Sequence, residues 1–219
     1  MTNVCATTES RQLDAVRLEP GLARTLLHYL GEPRREERGG VLLGQRTGRV
    51  VRIGGAVFPP QVTQSAANCA FDAHCIEVIS SSISAMADPP IAGALEKMVG
   101  WIHSHPGHGL FLSHTDVATL DSWLQLDEGA IAVVVDPCLR RHHRRRMAWW
   151  DRQREGRFVE LEYSEQHAVG FQQTAAMGQA IKDHEGTSEE WNVVTAGCIM
   201  RILPLNSDPA VNELATRKG

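Results

Sequence analysis

No run of eighteen or more consecutive apolar residues occurs in this chain, and without one no helix is expected to cross a bilayer. The opening stretch, MTNVCATTESRQLD, lacks the basic flank and apolar core of a secretory signal, so a cytoplasmic location is expected. Cysteine is sparse and irregularly placed. Cys5, Cys69, Cys75, Cys138 and Cys198 are odd in number and never spaced C-x-x-C, which suits neither a disulfide framework nor a structural zinc ribbon. They read as reduced packing residues. Internal repeats are missing, and so is G-x-S-x-G, the elbow that would present a nucleophilic serine.

What is present is the composition of an ordinary globular protein, 42% hydrophobic and 22% charged with a net charge of -4 over 219 residues. That length suits one core with extensions. We expect a flexible N-terminus at 1–14, one domain at 15–163 and a C-terminal extension at 164–219 of uncertain structure. Charge is unevenly distributed: residues 140–157 hold eight arginines against Asp151 and Glu155, a local +6. The densest part, RRHHRRR (140–146), reads as a solvated hairpin turn, and one short basic run on an acidic chain is a weak basis for nucleic-acid binding. Neither nucleic acid nor membrane is expected as a partner.

Periodicity gives a mixed order of strands and helices. AVRLEP (15–20) reads as a strand feeding a helix, with Pro20 at the first helical position and Leu22, Leu26, Leu27 and Leu30 on one face. GGVLLGQ (39–45) and GRVVRIGGAVF (48–58) form a hairpin whose glycines mark bulges or close backbone approach. PPQVTQSAANCA (59–70) has no periodicity and reads as a long loop. A helix follows from Asp72 to the break at ADPP (87–90), then a buried strand at 98–103. Val117, Leu120 and Leu124 mark a further helical face, and AIAVVVD (130–136) is a strand apolar on both sides. RMAWWDR (146–152) and RFVELEY (157–163) read as a last hairpin. Beyond it, 165–184 suits a helix and 191–205 a strand. The class is α/β or α+β, one domain around a central sheet.

The chemistry concentrates in HSHPGHGLFLSHTD (103–116), which packs four histidines, two serines and an aspartate into fourteen positions. His103 and His105 are two apart, so on an extended strand they project from one face and can share an ion. Asp116, behind a glycine-rich turn, supplies a third ligand from another element. Two nitrogens and one oxygen with an open fourth position is the ligand set of a catalytic zinc site. Ser113-x-x-Asp116 is also the pattern of a helix capping box, which needs no metal, and both roles are compatible in one carboxylate. His108 and His114 read as solvated. Ser104 should point the opposite way from its neighbours, as a partner to the ligands and not as a nucleophile. A general base is also required, and Glu36 and Glu37, just before the GGVLLG strand, are both candidates.

Taken together, E-R-G-G-V-L-L-G (37–44), V-G-W-I-H-S-H-P-G (99–107), F-L-S-H-T-D (111–116) and A-V-V-V-D-P (132–137) resemble the catalytic MPN domain, the JAMM or JAB1/MPN/Mov34 zinc metalloprotease family. The resemblance covers roughly residues 15–163. The family pattern, a glutamate followed by H-[S/T]-H-P, six residues, then S-x-x-D, is complete here, whereas inactive MPN scaffolds lose one or more of its positions.

The resemblance implies a cytidine-deaminase-like α/β fold, a central mixed sheet flanked by helices, carrying one catalytic Zn2+ on His103, His105 and Asp116. It implies Glu37 as general base and acid, chosen over Glu36 because the family's glutamate lies three before the strand glycine, here Gly40. Ser113 is implied as oxyanion donor. The implied reaction is hydrolysis of the isopeptide or peptide bond after the C-terminal glycine of ubiquitin or a ubiquitin-like protein, in deconjugation or precursor maturation. Its modifier tail would be held by strand addition beside the loop at 59–71. The setting expected is a bacterial ubiquitin-like conjugation system, antiphage systems included, with E1- and E2-like enzymes as associates. The rival readings are a peptidase that processes a sulfur-carrier protein and a noncatalytic MPN assembly subunit.

Overall fold

A computed structural model describes residues 13–31, 36–65, 68–86, 95–140, 145–151, 155–156, 159–160, 171–185 and 189–204. The expected flexible N-terminus up to residue 12, the ADPP helix break, the centre of the arginine run at 141–144 and most of RFVELEY lie outside the described residues. Strand β1 (Ala15–Leu18) leads into helix α1 (Leu22–Leu30). The helix begins two residues later than Pro20, because Pro20 and Gly21 form a turn closed by the Leu22 N–H donating to the Glu19 carbonyl at 3.0 Å. Leu22, Leu26, Leu27 and Leu30 are all buried along it, each contributing about 2 kcal/mol of apolar burial.

The expected hairpin is β2 (Gly39–Thr47) and β3 (Val50–Phe58). Its register shifts between Leu43 and Gly44. A Cβ on Gly44 would lie 2.0 Å from the Arg52 carbonyl oxygen, so this glycine marks a bulge at which two backbones meet. The segment read as a loop carries its own small hairpin, β4 (Thr63–Ser65) paired with β5 (Asn68–Ala70). Three-residue strands with mixed side chains are too short to show a period of two. Helix α2 (Ala73–Met86) follows, then β6 (Lys97–Ser104), α3 (His114–Leu126), β7 (Ile131–Val135) and β8 (Met147–Trp150). In α3 the buried residues are Asp116, Leu120 and Trp123, while Val117 is 47% exposed. The apolar face therefore lies one position away from the expected 117/120/124 set, because the helix turns a carboxylate inward.

These strands belong to one ten-stranded mixed sheet. At its centre β6 pairs antiparallel with β2 and parallel with β7. Leu42, Ile102, Val133 and Val135 face one core together with α1, whereas Val41, Leu43, Trp101 and Ala132 face a second core. Leu120 and Trp123 of α3 and Ile79 of α2 close that second core. The sheet is thus covered on both sides, as its near-continuous apolar strands require.

Two features depart from the sequence reading. Strand β8 pairs with β9 (Glu155–Gly156), and β10 (Val159–Glu160) pairs in parallel with β1, so RFVELEY does not complete a hairpin with RMAWWDR. Only two residues separate β9 at one end of the strand order from β10 at the other, a reach of about 10 Å. The sheet is therefore curled until its ends meet, and the Leu13 N–H donates to the Asp151 carboxylate at 3.3 Å. The stretch from 191 onward forms two strands instead of one, β11 (Trp191–Thr195) and β12 (Cys198–Ile202). β11 pairs antiparallel with β3, and helix α4 (Phe171–Glu185) contributes Met177 and Ile181 to the second core. Among the described residues no helix is long and apolar enough to cross a membrane.

Candidate metal centre

The site assembles at the C-terminal end of β6. His103 is in its last turn of pleat and His105 is the first residue beyond it, so both rings project from one face. The rings meet edge to face, 4.6 Å between centroids, with their Nε2 atoms 2.9 Å apart. Trp101, two residues earlier on the same face, stacks flat against His103 at 4.4 Å and 7°. Phe111 lies against His105 at 4.8 Å. Each ring is therefore held from behind by an aromatic neighbour.

Asp116 enters at the third position of α3, where the capping box is complete. The Asp116 N–H donates to the Ser113 hydroxyl at 3.2 Å, and the Ser113 N–H donates to Asp116 Oδ2 at 2.7 Å. The same carboxylate faces both histidines, with Oδ1 3.3 Å from His103 Nε2 and Oδ2 3.6 Å from His105 Nε2. Capping and convergence are thus two uses of one group.

The donor set can be tested against zinc. Bonds of 2.0–2.1 Å at a tetrahedral angle put ligand atoms about 3.3–3.4 Å apart. The closest separations here are 2.9 Å between the two Nε2 atoms and 3.3 and 3.6 Å from them to different carboxylate oxygens of Asp116, and one donor atom from each residue can be chosen with all three within 4.8 Å of one another. All three residues are buried, at 1%, 3% and 8% exposure. Among the described residues no other group of three histidine, cysteine or acidic side chains converges in this way. The residues fit the ion.

Glu37 is brought to the edge of this cluster. Its N–H donates to the Ser65 carbonyl of β4 at 2.7 Å, and the next N–H, that of Arg38, donates to the Ser104 hydroxyl at 3.0 Å. Glu37 Oε1 lies 3.6 Å from His105 Nε2 and the residue is buried, whereas Glu36 is exposed. Ser104, buried between the two histidines in sequence, thus ties the glutamate segment to the ligand strand. His108 and His114 are exposed and outside the cluster.

Electrostatics follow from burial and crowding. Burial pushes the Glu37 carboxyl up, His105 pulls it back and Asp116 raises it further, leaving it at about 7. Burial would raise Asp116 too, but its hydrogen bonds with His103 and His105 outweigh that and hold it well below the usual carboxylate range. His103 is depressed chiefly by burial. His105 resists the same burial and is raised overall by Asp116 and Glu37. A carboxyl poised near neutrality beside a carboxylate kept ionised is the division of labour that proton-transfer sites need.

Beside the cluster is a cavity of about 290 Å³ lined by Glu37, Cys69, Phe71, Trp101, Ser113 and Trp123, among others. The Cys69 thiol is pushed up to about 12 by burial and by the neighbouring Glu37 and Asp116, so it stays neutral and unreactive. Sequence reasoning missed this residue's place in the site and that of Trp101, which backs a histidine. It quoted Asp136 within A-V-V-V-D-P (132–137) as part of the family resemblance but gave it no role.

Parts of this chain are similar in sequence to known proteins. A family model described as JAB1/Mov34/MPN/PAD-1 ubiquitin protease matches residues 11–129. COP9 signalosome complex subunit 5a of Arabidopsis thaliana is 37% identical over 99 residues, 45% of this chain and 26% of that protein. The 26S proteasome regulatory subunit rpn11 of Schizosaccharomyces pombe is 56% identical over 45 residues, 20% of this chain and 15% of its own. The ubiquitin carboxyl-terminal hydrolase RPN11 of Saccharomyces cerevisiae matches to the same extent. The chain thus spans about a quarter or less of these relatives' length. With the family model covering more than half of its residues, over a mixed sheet that gathers two histidines and an aspartate, this chain belongs to the JAB1/Mov34/MPN/PAD-1 ubiquitin protease family.

Proposed function

We propose that this protein is a zinc-dependent peptidase that cleaves after the C-terminal glycine of ubiquitin or a ubiquitin-like protein, in deconjugation or precursor maturation. The observation that carries the reading is the convergence of His103, His105 and Asp116 with the buried Glu37 carboxyl 3.6 Å from one ligand nitrogen. One zinc ion held by those three residues supplies Lewis acidity and a water of lowered pKa. Glu37, buried with Oε1 3.6 Å from His105 Nε2, takes a proton from the attacking water and returns it to the departing amine. The Ser113 hydroxyl accepts the Asp116 N–H and retains its own hydrogen to donate to the developing oxyanion. Asp116 remains ionised throughout.

The β4–β5 hairpin supports the mode of substrate binding. It is a two-stranded sheet separate from the main one, tied to Glu37 through the Ser65 carbonyl, and an extended modifier tail can add to it as a further strand. The setting we propose, from the family resemblance, is a bacterial ubiquitin-like conjugation system, with E1- and E2-like enzymes as associates and a cytoplasmic location. The test is incubation of wild type and Glu37→Gln with a panel of ubiquitin-like fusions and an extended sulfur-carrier protein, with and without a zinc chelator. Cleavage of Gly-Gly conjugates that is lost in both altered conditions is expected. Cleavage indifferent to both would refute the mechanism, and cleavage of the sulfur carrier alone would reassign the substrate.

A further inference from the structure

Asp136 directly follows β7, the strand beside the ligand strand, and is fully buried. Its carboxylate is surrounded by backbone donors. Oδ1 accepts the N–H of Gly107 at 3.0 Å and of Cys138 at 2.8 Å, and Oδ2 accepts the N–H of Gly109 at 2.8 Å. Two of these three donors belong to the turn that directly follows His105, and they come from 27 and 29 residues away in sequence. That turn is unusual in itself: Gly107 and Gly109 stand at φ +84° and +91°, values that ordinary side chains avoid. A backbone needing two such residues has little to fix its shape unless something grips it from outside.

The consequence reaches a ligand. His105 is anchored on one side by its own N–H, which donates to the Val135 carbonyl at 2.8 Å. Its ring presents Nε2 to the cluster and turns Nδ1 inward, where that atom is buried without a hydrogen-bond partner among the described residues. A metal-binding imidazole is oriented by what its second nitrogen donates to. With no such partner for Nδ1 among the described residues, the aim of the ring rests on the backbone that carries it: the His108 N–H donates to the His105 carbonyl at 3.2 Å, and Asp136 holds the glycines on either side of His108.

We infer that Asp136 is a positioning residue for the metal site: by gripping the Gly107 and Gly109 amides it fixes the turn that closes on the His105 carbonyl, and so holds the His105 ring with Nε2 aimed at the ion. The inference rests on the zinc reading given above. Asp136 touches neither substrate nor metal. It acts through the turn, and its negative charge suits the task because a carboxylate accepts from three N–H groups where an amide cannot. In Asp136→Asn one orientation keeps Gly107 and Cys138 but turns an NH2 towards the Gly109 N–H, and the other does the reverse.

The experiment uses the full chain, as wild type and Asp136→Asn, and measures Zn2+ affinity by competition with a chromophoric chelator, together with the visible absorption of the Co2+ form. Weaker Zn2+ binding by roughly 10- to 100-fold is expected, with an altered Co2+ spectrum, in a variant whose unfolding is still cooperative. A folded variant that binds Zn2+ within threefold of wild type and gives the wild-type Co2+ spectrum overturns the inference. Should the variant fail to fold, amide exchange on the metal-free wild type decides: slow exchange at both Gly107 and Gly109 supports the grip, and free exchange at either overturns it. Wild type that takes up no Zn2+ overturns the zinc reading itself, an outcome distinct from all of these.

Discussion

Replacing Glu37 with glutamine probes the site without removing a metal ligand, and the metal-free protein gives the sharpest number. Burial pushes this carboxyl from its ordinary 4.5 to about 7. At about 1.4 kcal/mol per pH unit the full interval corresponds to about 3 kcal/mol. The carboxyl lines the adjoining cavity, so we discount this to about 1–2 kcal/mol for solvent screening. Below pH 4.5 both folded and unfolded chains carry the proton and there is no penalty. Between 4.5 and about 7 the unfolded chain ionises first, so stability falls as pH rises, and above about 7 the penalty is complete. Glutamine has the same shape and no charge to desolvate. Chelated wild type should therefore lose about 1–2 kcal/mol relative to Glu37→Gln between pH 5 and pH 8, about 2–8 °C in Tm for a chain of this size. The measurement is thermal or urea unfolding of both proteins in excess chelator at several pH values. Most other titrating groups are common to the two proteins and cancel in the difference. A difference that stays constant with pH, or that grows towards acid, would mean that Glu37 is not held in the buried environment described here.

Other perturbations separate roles that share residues. Ser113→Ala removes both the cap and the oxyanion donor, so it should cost about 1 kcal/mol in stability and about 10²–10³ in kcat with Zn2+ content unchanged; loss of stability alone would leave Ser113 as a cap only. Asp116→Asn should reduce bound Zn2+ from one equivalent to substoichiometric by elemental analysis, while chelation of wild type lowers Tm and readdition of Zn2+ restores it; full occupancy in the variant would contradict the ligand set. Trimming residues 62–70 to a short turn should raise KM for folded conjugates at least tenfold with Zn2+ retained, and an unchanged KM would remove the hairpin from substrate binding.

The convergence of His103, His105 and Asp116 was legible in the sequence because they lie within fourteen positions and obey two local rules, the period of two along β6 and the capping box of α3. The preference for Glu37 over Glu36 came from the family pattern. Its physical counterpart, one side chain buried and its neighbour exposed, depends on β2 pairing with β6 and on a hydrogen bond to β4, which no local window contains. The β4–β5 hairpin was invisible for a different reason: three-residue strands carry almost no periodic signal. The crossing from β9 to β10 was missed because two short extended runs in succession read most simply as a hairpin, and only the curl of the whole sheet brings its far edge within reach. Asp136 shows the limit most clearly. Its importance lies in three backbone donors, and backbone groups leave no mark in the sequence except the two glycines that shape the turn.

The pairing of β2 with β6 has a consequence for when the protein can become active. His103, His105 and Asp116 come from one short stretch, so a partly folded chain can gather an ion there before the rest of the sheet exists. Glu37 arrives only when Gly39 lies opposite His103 and Gly40 opposite Ile102, and a slip of one residue would turn it to the other face. On the proposed reading, the three candidate ligands and the candidate base are brought together by different parts of the fold, the ligands by one local stretch and the base by the register of the central strands. Zinc binding without hydrolysis would then mark a chain whose ligand stretch is formed while β2 and β6 are out of register.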